Sequence, residues 1–232
     1  MKKIFAFFLC VAVVMTFTVG CGSQAKKDMN AAVDSANELL QKDAKPYDAG
    51  TKTNLENAVK ASEKAQDDEA YSKAAKEIKT AAKGYKDSIK QLKQVTNPKE
   101  SFLIKRAKTV KSITQVQAAT EKTDANNMMN KEGGYTSYIA LKSSMVHDSY
   151  YSSQSALEAG NDGGAVIEAF KTVKDAKARV KYLSALDGSG PLSPGTHKVV
   201  GTLVIRTSNQ LTASQQSKLE KRIINALIKL AE

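Results

Sequence analysis

A chain of 232 residues with a formal charge of +11, two cysteines and no tryptophan is long enough for one large core or two small ones, which must be held by packing alone. Both cysteines, Cys10 and Cys21, lie at the N-terminus, which excludes disulfide staples, thiolate metal sites and cysteine nucleophiles from the rest of the chain. The charge is uneven, with 14 lysines against 12 acids from Lys26 to Val95 but 19 basic residues against 12 from Thr96 to Glu232, so the C-terminal part carries most of the positive field and suits anionic partners.

Met1-Lys2-Lys3 is a short positive region, and IFAFFLCVAVVMTFTV follows it as an almost unbroken apolar run. This is the layout of a signal peptide over residues 1–20. At roughly sixteen residues the run falls short of the roughly twenty needed to span a bilayer. The stretch TVGC resembles the lipobox of bacterial lipoproteins, with Thr18 where leucine is usual. The resemblance implies cleavage before Cys21 and a diacylglycerol with palmitate-type acyl chains in thioether linkage to its sulfur, anchoring the chain at the extracytoplasmic face of the cell membrane. Each buried acyl methylene contributes about 0.8 kcal/mol, so two or three chains hold a protein durably. In that compartment the expected partners are the membrane itself, anionic cell-wall polymers or an envelope protein, and not nucleic acid.

After Cys21 the polar GSQAKK reads as a tether over residues 21–27. A first helix is expected from Asp28, where Met29, Val33, Ala36 and Leu40 recur at helical spacing before KPYDAG ends the pattern. The second is signalled by Thr53 and Glu56 as a capping box, with Leu55, Ala58, Val59 and Ser62 on one face. A third runs from about Glu69 to Val95 along Tyr71, Ala74, Ile78, Ala81, Tyr85, Ile89 and Leu92. Three such stripes bury themselves against one another, which predicts a three-helix bundle over residues 28–95. Its spacing resembles FIVAR-type helical modules of bacterial surface proteins, which implies a spacer or binding module and carries over no catalytic residue.

NPKE opens a second domain, residues 97–232, with Asn97 as a cap, Pro98 at the first helical position and Glu100 completing a box. A helix through Phe102, Leu103, Ala107 and Val110 precedes strands at ITQVQAAT, YTSYIAL and AVIEAF. A helix through Val173, Ala176, Val180 and Leu183 follows, then HKVVGTLVIRTS as one long strand. Thr212 and Gln215 cap a last helix with Leu219, Ile223, Ala226, Leu227 and Leu230 inward. The expected fold class is therefore α+β, with a mainly antiparallel four-stranded sheet covered by helices. The runs VQAATEKTDANNMMNKEGGYTSYIAL, GNDGGAVIEAFKTVKDAKARVKYLSALDGSG and GTHKVVGTLVIRTSNQLTASQQSKLEKRIINAL resemble a recurrent, uncharacterised C-terminal domain of Gram-positive lipoproteins. Ala125 stands where relatives usually have proline. The resemblance implies an envelope context and transfers no catalytic or binding residue.

Few constellations carry chemistry. Glu121, Asp124, Asn126, Asn130 and Glu132 gather hard oxygen donors in one loop, with Glu121, Asp124 and Asn126 as the nearest approach to a calcium site. Their spacing is not that of an EF-hand, and a turn in which Asp and Asn side chains hold their own backbone is the favoured reading, so no metal is assigned. GNDGG lacks the lysine of a P-loop, His147 and His197 lack partner spacing, and no G-x-S-x-G elbow occurs. The chain is expected to be no enzyme and to use no cofactor. Two basic clusters stand out as surfaces for anionic headgroups or polymer phosphates: Lys105, Arg106, Lys108 and Lys111, and the stripe of Lys171, Lys174, Lys177 and Lys181. Together these readings point to a membrane-anchored, noncatalytic binding or structural module of the cell envelope, with a solute-binding lipoprotein as the alternative and a wall-acting enzyme behind it.

Overall fold

The computed structural model describes residues 23–190 and 193–231. The leader and Cys21, where the lipid is expected, lie outside the described residues. The chain is mixed α and β, with eight α-helices and one five-stranded antiparallel sheet among the described residues.

Helix α1, Gln24–Gln41, begins earlier than Asp28 because the Ser23 hydroxyl accepts the Lys26 amide and caps the first turn. Most of the expected tether, Gln24 to Lys27, is therefore helical. Helix α2, Gly50–Ser62, also starts ahead of its expected box. Its N-cap, Ala49, has no side-chain bond, and the Asp48 carboxylate just ahead of it accepts the Gly50 amide at 2.9 Å. Helix α3, Asp68–Gln94, is capped by Asp67, which accepts from Ala70 at 2.8 Å, with Asp68 and Glu69 complementing the dipole of its first turn. Ala32, Ala36 and Leu39 of α1 and Leu55 of α2 pack on Ile78 and Tyr85 of α3. The Tyr85 hydroxyl donates to the Ala44 carbonyl at 2.6 Å and ties the α1–α2 connection to α3.

Past α3 the expected cap at Asn97 does not form. Asn97 takes a left-handed φ of 48° and gives its amide to the Thr202 hydroxyl, while Lys99 occupies the cap of α4, Glu100–Ala107, without a side-chain bond. Strands β1, Ile113–Ala118, and β2, Ser137–Ser143, follow. The polar stretch after β2 holds two short helices, α5, Ser149–Ser153, and α6, Ala156–Ala159, then a 3-10 turn at Gly160–Gly163. Ser155 and Glu158 form a capping box on α6 that the sequence reading passed over. Strand β3, Gly164–Ala169, leads into α7, Val173–Ser184, and α8, Ala213–Ile228, closes the fold with its expected Thr212–Gln215 box.

The sheet has five strands and not four, because HKVVGTLVIRTS folds back on itself. It gives β4, Thr196–Val200, and β5, Leu203–Thr207, around a two-residue turn. Gly201 supplies a φ of 62° at the first central position and Thr202 has no positive φ, the pattern of a type II′ hairpin. The strand order is β1-β2-β3-β5-β4, antiparallel at every pairing. One face, with Ile139, Leu141, Ile167, Leu203 and Ile205, packs under α4 and α8. The other, with Tyr138, Ala140, Val166 and Val204, packs under α6, α7 and the β1–β2 loop. Every residue of β3 is buried, as expected of a strand covered on both faces. Val95, at the end of α3, is fully buried in the core under α4 and α8, so the helical part and the sheet share a core residue. All four apolar clusters draw on residues between Met29 and Ile228, so a chain starting at Gly22 retains them all.

Candidate functional site

The two basic clusters singled out from the sequence lie on opposite sides of the sheet. Lys105 and Arg106 sit on α4, Lys108 caps it, and Lys111 falls in the turn after it. Lys171, Lys174, Lys177 and Lys181 belong to the α7 side. With the sheet between them, no single flat surface meets both. Arg106 is already engaged, donating to the Lys229 carbonyl at 2.6 Å and lying 5.2 Å from the Phe102 ring centre. The four α7 lysines are all exposed, and none makes an ion pair among the described residues. Val173, expected inward, is instead 41% exposed, and Tyr182 is 60% exposed. At helical spacing these two apolar side chains flank the lysine row. Arg179 takes the buried position on the inner face of α7.

That arginine belongs to a buried charge cluster absent from the candidates drawn from the sequence. Glu168 on β3 is fully buried. Arg179 grips it with two bonds of 2.8 Å, from Nε and from an Nη, and Arg206 of β5 adds a third at 3.0 Å. Two guanidiniums offset the desolvation of one carboxylate and leave its oxygens occupied. The cluster locks α7 onto β3 and β5. Beside it, burial pushes the Tyr138 hydroxyl up to about 12, so it stays protonated at any ordinary pH. Burial likewise raises Asp162, against the pull of the Tyr151 hydroxyl and Arg206. The signal that could have found this cluster is a lone glutamate in the apolar run AVIEAF, since a carboxylate in a doubly covered strand demands a cationic partner.

The oxygen-rich loop closes on itself. Asp124 accepts from the amides of Met128 at 2.7 Å, Met129 at 2.8 Å and Asn126 at 3.1 Å, and from the Tyr135 hydroxyl. Asn126 donates its side-chain amide to the same hydroxyl at 3.0 Å, and Asn130 gives its own to Glu121 at 2.7 Å. Burial alone would raise the Asp124 carboxyl, but the Tyr135 hydroxyl and the three amides outweigh it and hold the group below its ordinary value. Asp124 thus spends both carboxylate oxygens on the loop, while Glu121 gives it one oxygen and Asn126 its side-chain amide. No group of three or more His, Cys, Asp or Glu side chains placed to hold a metal occurs among the described residues.

His197 on β4 meets a serine and an aspartate, yet not as a triad. Ser184 Oγ lies 2.9 Å and the Asp187 carboxylate 3.7 Å from the same ring nitrogen, Nε2. Nδ1 is 3.2 Å from the Gly195 carbonyl. A triad needs serine and carboxylate on opposite nitrogens, so this imidazole has no orienting acid behind it. His147 lies exposed ahead of α5. Lys142 is spent on the Ser152 and Gln154 carbonyls at 2.6 Å each.

A third basic row escaped the sequence reading. Lys76, Lys79, Lys83, Lys86 and Lys90 fall on one face of α3 at alternating steps of three and four, the spacing that stacks side chains along a helix. No protein-family model, curated protein or solved structure matches the chain. No helix among the described residues is long and apolar enough to cross a membrane.

Proposed function

We propose that the chain is a noncatalytic binding or structural module of the bacterial cell envelope, tethered to the outer face of the membrane by a lipid on Cys21. In this reading α1, α2 and α3 act as a three-helix bundle that serves as spacer, and the α+β part meets an anionic partner. The tether rests on the apolar run ending in TVGC. The observation that carries the contact is the exposed row of Lys171, Lys174, Lys177 and Lys181, flanked by exposed Val173 and Tyr182. Unpaired cations beside uncovered apolar side chains are what a helix offers to an anionic surface with an apolar component.

Co-sedimentation of residues 22–232 with purified cell walls and with phosphatidylglycerol vesicles across a salt series tests the contact. Binding that falls as salt rises, and that weakens at least fivefold when the four lysines are changed together to glutamine, is the expected result. Unchanged binding by that variant overturns their role. Lipidation is read from the mass of the native product, since Cys21→Ser abolishes the diacylglycerol increment if the tether is as proposed.

A further inference from the structure

The lysine row of α3 borders a trough. A cavity of about 510 Å³ opens between the N-terminal halves of α1 and α3, from Ala25 and Ser72 to Lys83. A second, of about 470 Å³, continues along the pair to Lys90, and a third, of about 420 Å³, carries on to Gln94 and the C-terminal Leu230 and Ala231. Consecutive cavities share lining residues, with Lys83 common to all three. They form one channel along α3 from Ser72 to Gln94, roughly 33 Å at the helical rise.

Its chemistry is one-sided. The wall on α3 presents Lys76, Lys79, Lys83, Lys86 and Lys90. Lys76, Lys79 and Lys86 make no ion pair among the described residues, whereas Lys83 and Lys90 face Asp87 at 2.5 and 3.7 Å. The floor is apolar, with Ala31, Ala32, Ile78 and Ala82, and α1 adds Asp28 and Ser35 beside it. Against five cations the lining carries two acids, Asp28 and Asp87. Successive lysines advance about 5 Å along the axis, a step that suits the phosphates of an extended phosphodiester chain with short links.

We propose that this trough binds a linear polyol phosphate, with phosphates along the lysine wall and the carbon links over the alanine floor. A flat lipid surface does not enter a concave channel between two helices, and a free phosphate would leave most of its length empty. The site rests on the envelope reading only for where such a polymer is met. It is separate from the α7 row, so each can fail without the other.

The test measures binding of a short poly(glycerol phosphate) to residues 22–232 across a salt series. Changing Lys76, Lys79 and Lys86 together to glutamine is expected to lower affinity at least tenfold at low salt. It should also flatten the dependence of log affinity on log salt by about 2, near 0.7 for each lost contact. Ala31→Glu, at an exposed position on the α1 side of the trough, is expected to weaken binding while leaving the melting temperature unchanged. The α7 quadruple variant should bind the polymer within twofold of the parent. Equal affinity for the α3 triple variant and the parent overturns the site. So does an Ala31→Glu variant that binds normally, or a triple variant that loses phosphatidylglycerol vesicles while keeping the polymer, which would make the row a membrane contact.

Discussion

Asp124 organises the loop between β1 and β2 by accepting three backbone amides and the hydroxyl of Tyr135, a residue with no exposed surface. Asp124→Ala strands those donors, at a cost of about 2 kcal/mol in urea unfolding. Asp124→Asn should cost less, because one oxygen still accepts. Millimolar calcium should leave the melting temperature of the parent unchanged, because the Asp124 oxygens are already engaged within the loop. The pH dependence follows from the same bonds. A carboxyl held below its unfolded value in the native state contributes stability that is present above that unfolded value. The contribution is lost as pH falls through the lower, folded one. Stability should therefore decline below about pH 4, and the decline should be shallower in Asp124→Asn. Glu168 sets a harder constraint, since Glu168→Gln leaves Arg179 and Arg206 buried without their carboxylate. A loss of about 3–5 kcal/mol is expected, read by chemical denaturation at neutral pH. The composition of the Asp124 loop was legible in the sequence, but its donors were not, because backbone amides leave no trace in a residue pattern. The Glu168 cluster was hidden for another reason, as its members come from β3, α7 and β5 and meet only when the sheet forms.

At the scale of elements, the apolar stripes located every long helix, and the caps decided where the sequence reading slipped. Ser23 caps α1 ahead of Asp28, and Asp48 takes up the Gly50 amide ahead of Thr53, so both helices start upstream of where they are expected. In β4–β5 the β-branched run concealed a hairpin, because a single glycine in HKVVGTLVIRTS reads as a flaw in one strand until its φ is known. Gly201 is doubly constrained: its φ is 62°, and a Cβ there would sit 2.2 Å from the Val95 carbonyl oxygen. Gly201→Ala should cost about 2 kcal/mol or more, combining left-handed strain with a clash against a backbone that cannot yield. Thermal melts check it. Asn97, on the opposing side of the same junction, also has positive φ, and Asn97→Gly should be nearly neutral, which separates backbone strain from loss of a side chain. The basic row on α3 was present in the sequence as a three-and-four spacing. It was masked by acids interspersed along the same helix, Asp87 on the lysine face among them, and only the position of α1 shows that a channel runs beside it.

For the molecule as a whole, the sequence divides at NPKE, and the core under α4 and α8 reaches back across that division to Val95. Val95 is fully buried among Leu103, Leu219 and Leu227, and its carbonyl accepts the Thr202 amide at 3.1 Å. Next to it the Gln94 side chain donates to the carbonyls of Leu227 and Lys229 at the end of α8. A spacer joined by a free linker would fluctuate independently of what it carries. This junction instead couples opening of α3's last turn to the β4–β5 turn and to α8. Val95→Ala removes a buried contact worth about 2 kcal/mol, and the loss should appear on both sides. Hydrogen exchange is expected to accelerate in the last turn of α3, at Thr202 and near Leu227 together. Ile78→Ala, a comparable or larger cavity within the α1–α3 core, should accelerate exchange in those helices and leave α8 protected. If Val95→Ala loosened only the helices, the two parts would open separately and the α3 trough would not be held in fixed register with the α+β part. Coupled acceleration would mean that the last turn of α3, the β4–β5 turn and the end of α8 open as one unit, held together by Val95 and the hydrogen bonds of Gln94 and Thr202.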